Sequence, residues 1–143
     1  MKPICSCGKF HDQLAKSPPL VLVIDDEPLV RWSLMAGLRA AGFDAIAAAD
    51  RTEALRLAHE PRKPAVVLLD VRLWNTDPGR LLEELREALP HGHFLVLAVT
   101  GQEVPYAAFK DVDVIRKPYD LPDVVRVVEA AACPLHRMMR PAV

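Results

Sequence analysis

Leu20-Val-Leu-Val-Ile24 is closed by Asp25 and Asp26, and Ala65-Val-Val-Leu-Leu69 is closed by Asp70. An uninterrupted apolar run leaves no polar face, so each reads as a strand buried on both sides, the pattern of a parallel sheet. The charge that ends such a run is delivered to the carboxyl edge of the sheet. Two of these strands side by side gather three carboxylates, and like charges so placed repel and raise one another's pKa. A small divalent cation among them relieves the repulsion. The pattern predicts a hard-cation site beside a nucleophilic carboxylate.

Outward from this pair, strands and helices alternate. The spacing predicts a helix from Pro28 to Ala41, with Leu29, Trp32, Leu34, Met35 and Leu38 recurring at helical intervals and Gly42 as the stop. A second strand is expected at Asp44 to Ala48. Asp50 caps a helix over about 51–60, with Glu53 placed for a capping box, and Pro61 and Pro64 bar its continuation. After the strand at 65–70, Asp77-Pro78 is an N-cap followed by proline at the first helical position, opening a helix through Leu89 with Leu81, Leu82, Leu85 and Leu89 inward. Phe94 to Val99 reads as the fourth strand and Val112 to Arg116 as the fifth, and Pro122 opens a last amphipathic helix to Ala132. Strands alternating with helices imply right-handed crossovers and an α/β architecture, a parallel sheet covered on both faces. Such sheets bind ligands beyond the carboxyl ends of the strands, where strand order reverses.

At 143 residues the chain fits one domain, divided into an N-terminal extension 1–19, a folded unit 20–132 and a tail 133–143. No attached output domain is expected. A hydrophobic fraction of 51% with 26% charged residues places it among globular rather than disordered chains. The net charge of −1 gives no basic footprint, which disfavours nucleic acid as a partner. No stretch approaches the ~18 apolar residues of a membrane span, and Met1-Lys-Pro-Ile-Cys5 lacks the apolar core of a signal peptide, so the expected location is cytoplasmic. Cys5, Cys7 and Cys133 are odd in number, which argues against a disulfide framework. With helices antiparallel to strands, Cys5, Cys7, Cys133 and His136 are placed to meet at the edge opposite the acids as tetrahedral zinc ligands, with His11 spare; unstructured tails are the plainer reading.

Two more residues end strands at the acidic edge: Thr100 after Leu95-Val-Leu-Ala-Val99, with Gly101 behind it, and Lys117 just before Pro118. Phosphoryl transfer to a carboxylate needs a nucleophile, a cation held by oxygen ligands, a donor for a phosphoryl oxygen and a fixed positive charge. Each residue alone has a plainer role. An Asp at a strand end is a common turn former, the acid pair can cap the helix at Pro28, and Lys117 by itself is a solvated charge. Position and combination carry the inference.

In the order acid pair, single Asp, Thr-Gly and Lys-Pro, residues 20–132 resemble the receiver domain of bacterial two-component response regulators. The resemblance implies a doubly wound, five-stranded parallel sheet of flavodoxin-like fold with strand order 2-1-3-4-5. It implies that Asp70 is the phosphoacceptor, forming an acyl phosphate with the phosphoryl group of a sensor histidine kinase or phosphotransfer protein. Mg²⁺ is then the cofactor, bound by Asp26 directly, by Asp25 directly or through water, by Asp70 and by the backbone carbonyl of Arg72. Thr100 donates to a phosphoryl oxygen, Lys117 pairs with the phosphate, and the Lys117–Pro118 bond is often cis in the family. Such a protein is not an enzyme that turns over a substrate; it passes its signal to a downstream protein by contact, and a homodimer is compatible with this. The reading requires residues 25, 26, 70, 100 and 117 to share one pocket, with Asp70 open to solvent.

The sequence departs from the family in three places. Trp74 stands where receivers usually carry proline, which predicts a differently shaped loop, and Arg72 and Gln102 occupy the positions that tune acyl-phosphate lifetime, Arg72 as a shield. Only 16 residues separate Thr100 from Lys117, so the fourth helix is expected to be short, around Pro105 to Lys110, or absent. Val114 takes the place of the family's aromatic switch; Tyr106, Phe109 and Tyr119 are the candidate substitutes, although Tyr119 more simply packs beside the Lys-Pro turn. These departures support a rival, a receiver-like interaction module that works without phosphate. A small-molecule phosphatase would want an acid where Arg72 stands, and a nucleotide enzyme a Gly-rich loop after Asp25 or Asp70.

Overall fold

Among the described residues, the apolar runs form strands and the amphipathic stretches helices. The structure, a computed structural model, describes residues 18–72, 77–99 and 112–132. In chain order its elements are β1 (Leu20–Ile24), α1 (Pro28–Ala40), β2 (Asp44–Ala48), α2 (Arg51–Ala58), β3 (Val66–Asp70), α3 (Pro78–Ala88), β4 (His93–Val99), β5 (Asp113–Lys117) and α4 (Leu121–Ala132). The strands form one sheet in the order 2-1-3-4-5, with every neighbouring pair parallel. The short helix expected around Pro105 to Lys110 lies outside the described residues.

The sheet is buried on both faces because successive side chains of one strand point to opposite layers. From β1, Val21 and Val23 meet Leu34 and Leu38 of α1 and Val124 and Val128 of α4. Leu22 and Ile24 turn the other way, toward Ala54 and Ala58 of α2 and Leu81, Leu82 and Leu85 of α3. Fully burying a side chain of this size contributes roughly 1.5–3 kcal/mol, so β1 and β3, buried along their whole length, anchor the fold.

The helix boundaries follow local chemistry. At the start of α2 the Asp50 carboxylate accepts from the Glu53 N–H at 2.9 Å, and Glu53 reaches back to the Ala49 N–H at 3.1 Å, one residue before the cap. Asp77 accepts from the N–H groups of Gly79 at 3.0 Å and Arg80 at 3.4 Å, with Pro78 following it in α3. Helix α1 ends in a Schellman arrangement: Gly42 has φ 97°, its N–H donates to the Arg39 carbonyl, and Phe43 N–H donates to that of Leu38. Near its C-terminal end this helix lies tight against α4, where a Cβ placed on Gly37 would stand 2.6 Å from Leu121 Cδ2.

One apolar set is placed differently from the sequence reading. Leu29 and Trp32 are 82% and 71% exposed, while the core face of α1 consists of Leu34 and Leu38 with Val30 and Met35 partly buried. Apolar residues occupy so much of this helix that its 3.6-residue period fits both stripes, and the sequence pattern does not fix the phase.

Candidate functional site

The register of the sheet brings the acids together. Ile24 pairs with Leu69 across β1 and β3, so Asp25 and Asp70 follow as neighbours at the carboxyl edge. These two strands flank the point where strand order reverses. Asp25, Asp26 and Asp70 each place a carboxylate oxygen within 4.8 Å of the others. Lys117 ends β5 beside Val99 of β4 and reaches across to Asp70, with Nζ 3.4 Å from Oδ2. The Lys117–Pro118 peptide bond is cis.

Asp25 is fully buried and almost fully engaged. Its N–H donates to the Ala48 carbonyl at 3.2 Å, its Oδ1 accepts from the Glu27 N–H at 2.9 Å, and its main-chain carbonyl accepts from Arg31 Nη1 at 2.8 Å. Among the described residues, Oδ2 is buried with no hydrogen-bond partner. Burial pushes the Asp25 carboxyl up from 3.8 to about 6; the charges of Asp70 and Asp26 add to this, while the Glu27 N–H and the Lys117 ammonium oppose it. A buried carboxylate oxygen without a donor costs about 1–3 kcal/mol or more. Among the described residues, three carboxylates against the Lys117 ammonium leave the cluster with excess negative charge, so its donor set fits a hard divalent cation bound through oxygen.

Asp70 faces this cluster rather than the apolar core, its Oδ1 accepting from the Arg72 N–H at 3.0 Å. It is nevertheless only 2% exposed, against the expectation of an open nucleophile. A strand end sets the direction of a side chain but not what the neighbouring loops and side chains lay over it.

Of the five residues expected in one pocket, the structure brings together Asp25, Asp26, Asp70 and Lys117; Thr100 lies outside the described residues. So do Trp74, Gln102, Tyr106, Phe109, Cys5, Cys7, His11, Cys133 and His136, and with them the expected loop shape, lifetime tuning and zinc ligands. Tyr119 is half-buried and packs in the α1/α4 layer beside the Lys-Pro turn. Its phenol is raised above the usual range, first by burial and then by the charges of Asp25, Asp70 and Glu27, which puts the ring within the field of the acids. Val114 is 38% exposed on β5. Sequence reasoning missed Arg31; its target is a main-chain carbonyl, which leaves no pattern in side-chain types.

A doubly wound parallel sheet with an acidic cluster at its switch point defines a flavodoxin-like α/β domain with an acidic carboxyl edge. The profile of the response regulator receiver domain matches residues 21–129. The phyllosphere-induced regulator PhyR of Methylorubrum extorquens is 30% identical over 119 residues, an alignment covering 78% of this chain and 42% of PhyR. The chain thus spans less than half the length of that curated relative. Among solved structures, a receiver domain protein from Clostridium thermocellum superposes with a TM-score of 0.71 at 25% identity, covering 80% of this chain and 94% of that one. The receiver domain of NtrX from Brucella abortus gives a TM-score of 0.71 at 29% identity, covering 78% and 97%. The chain belongs to the response regulator receiver family, a signalling module of two-component systems whose members typically are phosphorylated and bind Mg²⁺. No helix among the described residues is long and apolar enough to cross a membrane.

Proposed function

We propose that residues 20–132 act as a phosphoacceptor switch, phosphorylated on Asp70 by a histidine kinase or phosphotransfer protein, with 1–19 and 133–143 as flanking segments. The observation that carries this reading is the meeting of three carboxylates within 4.8 Å at the end of β1 and β3, with Lys117 3.4 Å from Asp70. A carboxylate oxygen of Asp70 attacks the phosphorus of a phosphohistidine; the O–P bond forms as the N–P bond breaks, and the imidazole leaves with the electron pair. Asp25, Asp26, Asp70 and the Arg72 carbonyl would hold Mg²⁺, which would supply positive charge against the phosphoryl oxygens. Lys117 pairs with the same oxygens and Thr100 donates to one of them. The signal leaves by contact with a downstream protein.

A second reading, an interaction module that works without phosphate, is favoured by one observation: Asp70 is 2% exposed. Incubation with a small phosphodonor and Mg²⁺, followed by intact-mass measurement, separates the two. The wild type is expected to gain one phosphoryl group and Asp70→Asn none. A wild type left unmodified at saturating Mg²⁺ selects the phosphate-independent module.

A further inference from the structure

We propose that Arg31 is a positioning residue for the cation. By holding the main-chain carbonyl of Asp25 it fixes the peptide plane that joins Asp25 to Asp26, and so sets where the Asp26 carboxylate points. This rests on the reading of the acidic cluster as a Mg²⁺ site.

The turn between β1 and α1 carries three consecutive acids, Asp25, Asp26 and Glu27, before Pro28 opens the helix. Left to themselves they repel, and a short turn of this kind spreads. The structure opposes this at successive points: Asp25 N–H on the Ala48 carbonyl, Asp25 Oδ1 on the Glu27 N–H, and Arg31 Nη1 on the Asp25 carbonyl at 2.8 Å. The first two hold Asp25 itself. Among the contacts of the described residues, the third is the one that acts on the peptide leading into Asp26, the half-buried acid of the cluster. Arg31 is well anchored for this, because it lies in the first turns of α1 and its own N–H donates to the Glu27 carbonyl at 3.0 Å. Removing its guanidinium leaves a partly buried carbonyl without a donor and frees the peptide plane to rotate.

Charge and geometry make opposite predictions, which makes the idea testable. Acting only as a nearby positive charge, Arg31 would repel a divalent cation, and its removal would tighten binding. Acting as a clamp, its removal weakens binding, because the metal must then order Asp26 for itself.

The experiment is calorimetric titration of MgCl₂ into the metal-free chain, comparing wild type with Arg31→Met, which keeps the apolar stem without donors or charge. A lost hydrogen bond to a charged donor corresponds to about tenfold in affinity. Arg31→Met is expected to bind Mg²⁺ about tenfold more weakly, with unchanged stoichiometry and a circular dichroism spectrum matching wild type. In phosphorylation by a small phosphodonor, the half-saturating Mg²⁺ concentration rises by the same factor, while the rate at saturation returns to that of wild type. Equal or tighter Mg²⁺ binding by Arg31→Met overturns the proposal and leaves the site reading intact. If Arg31→Met does not fold, Arg31→Gln, whose amide is too short to reach the carbonyl, decides by the same criterion. A wild type that shows no saturable Mg²⁺ binding removes the site reading and this one together.

Discussion

Asp25→Asn should make the metal-free protein more stable at pH 8, although it alters the acidic centre. In the folded state burial raises the Asp25 carboxyl from 3.8 to about 6. Because the folded value lies above the unfolded one, protonation favours the native state: the contribution is fully present below 3.8 and is lost as pH rises through about 6. At 1.36 kcal/mol per pH unit, that interval makes the ionised side chain cost the native state about 3 kcal/mol at pH 8. Asparagine is nearly isosteric. Its oxygen can keep the Glu27 N–H, and its amide donates toward the carboxylates of Asp26 and Asp70 where the wild type presents an unpaired Oδ2. Urea unfolding in a metal chelator should therefore show Asp25→Asn more stable by about 2–3 kcal/mol at pH 8, a midpoint shift of roughly 1–2 M, shrinking toward zero at pH 4. Saturating Mg²⁺ should narrow or reverse the difference, since the ion stabilises only the state that binds it and the variant has lost a ligand. A gap of the same size at pH 4 and pH 8, or no gap at pH 8, would refute the reasoning.

Lys117→Met removes the ammonium 3.4 Å from Asp70, so Mg²⁺ should bind on the order of tenfold more tightly while phosphorylation by a small donor slows; unchanged Mg²⁺ affinity in a calorimetric titration would count against the charge balance drawn for the cluster. Gly37→Ala gains helix propensity of about 1 kcal/mol but drives a methyl to 2.6 Å from Leu121 Cδ2, so in the wild-type background it should destabilise by about 1 kcal/mol. In a Leu121→Ala background the same substitution should stabilise by about that amount, and denaturant melts that show one sign in both backgrounds would contradict the close approach of the two helices.

What could be read from the sequence depended on whether the decisive contact was made by side chains. The run Leu20–Ile24 and the caps Asp50 and Asp77 announce their elements because burial and capping are properties of residue type. Asp25, Asp26, Asp70 and Lys117 were legible as a group for a related reason: a strand end in a parallel sheet has one destination. The orientation of α1 was not legible, because Leu29 and Trp32 continue the same period as the stripe that is buried. The covering of Asp70 was not legible either, since it is a property of its surroundings and not of the strand that carries it. Arg31 escaped notice because a guanidinium that binds a main-chain carbonyl can lie opposite any residue at all.

The contact between Gly37 and Leu121 joins α1 to the first residue of α4. Leu121 stands four residues beyond Lys117, and it presses on α1 where a glycine leaves no side chain to yield. Leu121 therefore ties the chain just after the Lys117–Pro118 turn to the C-terminal part of α1, the helix whose outer surface displays Leu29 and Trp32 to solvent. A side chain at position 37 would push the two helices apart at this contact.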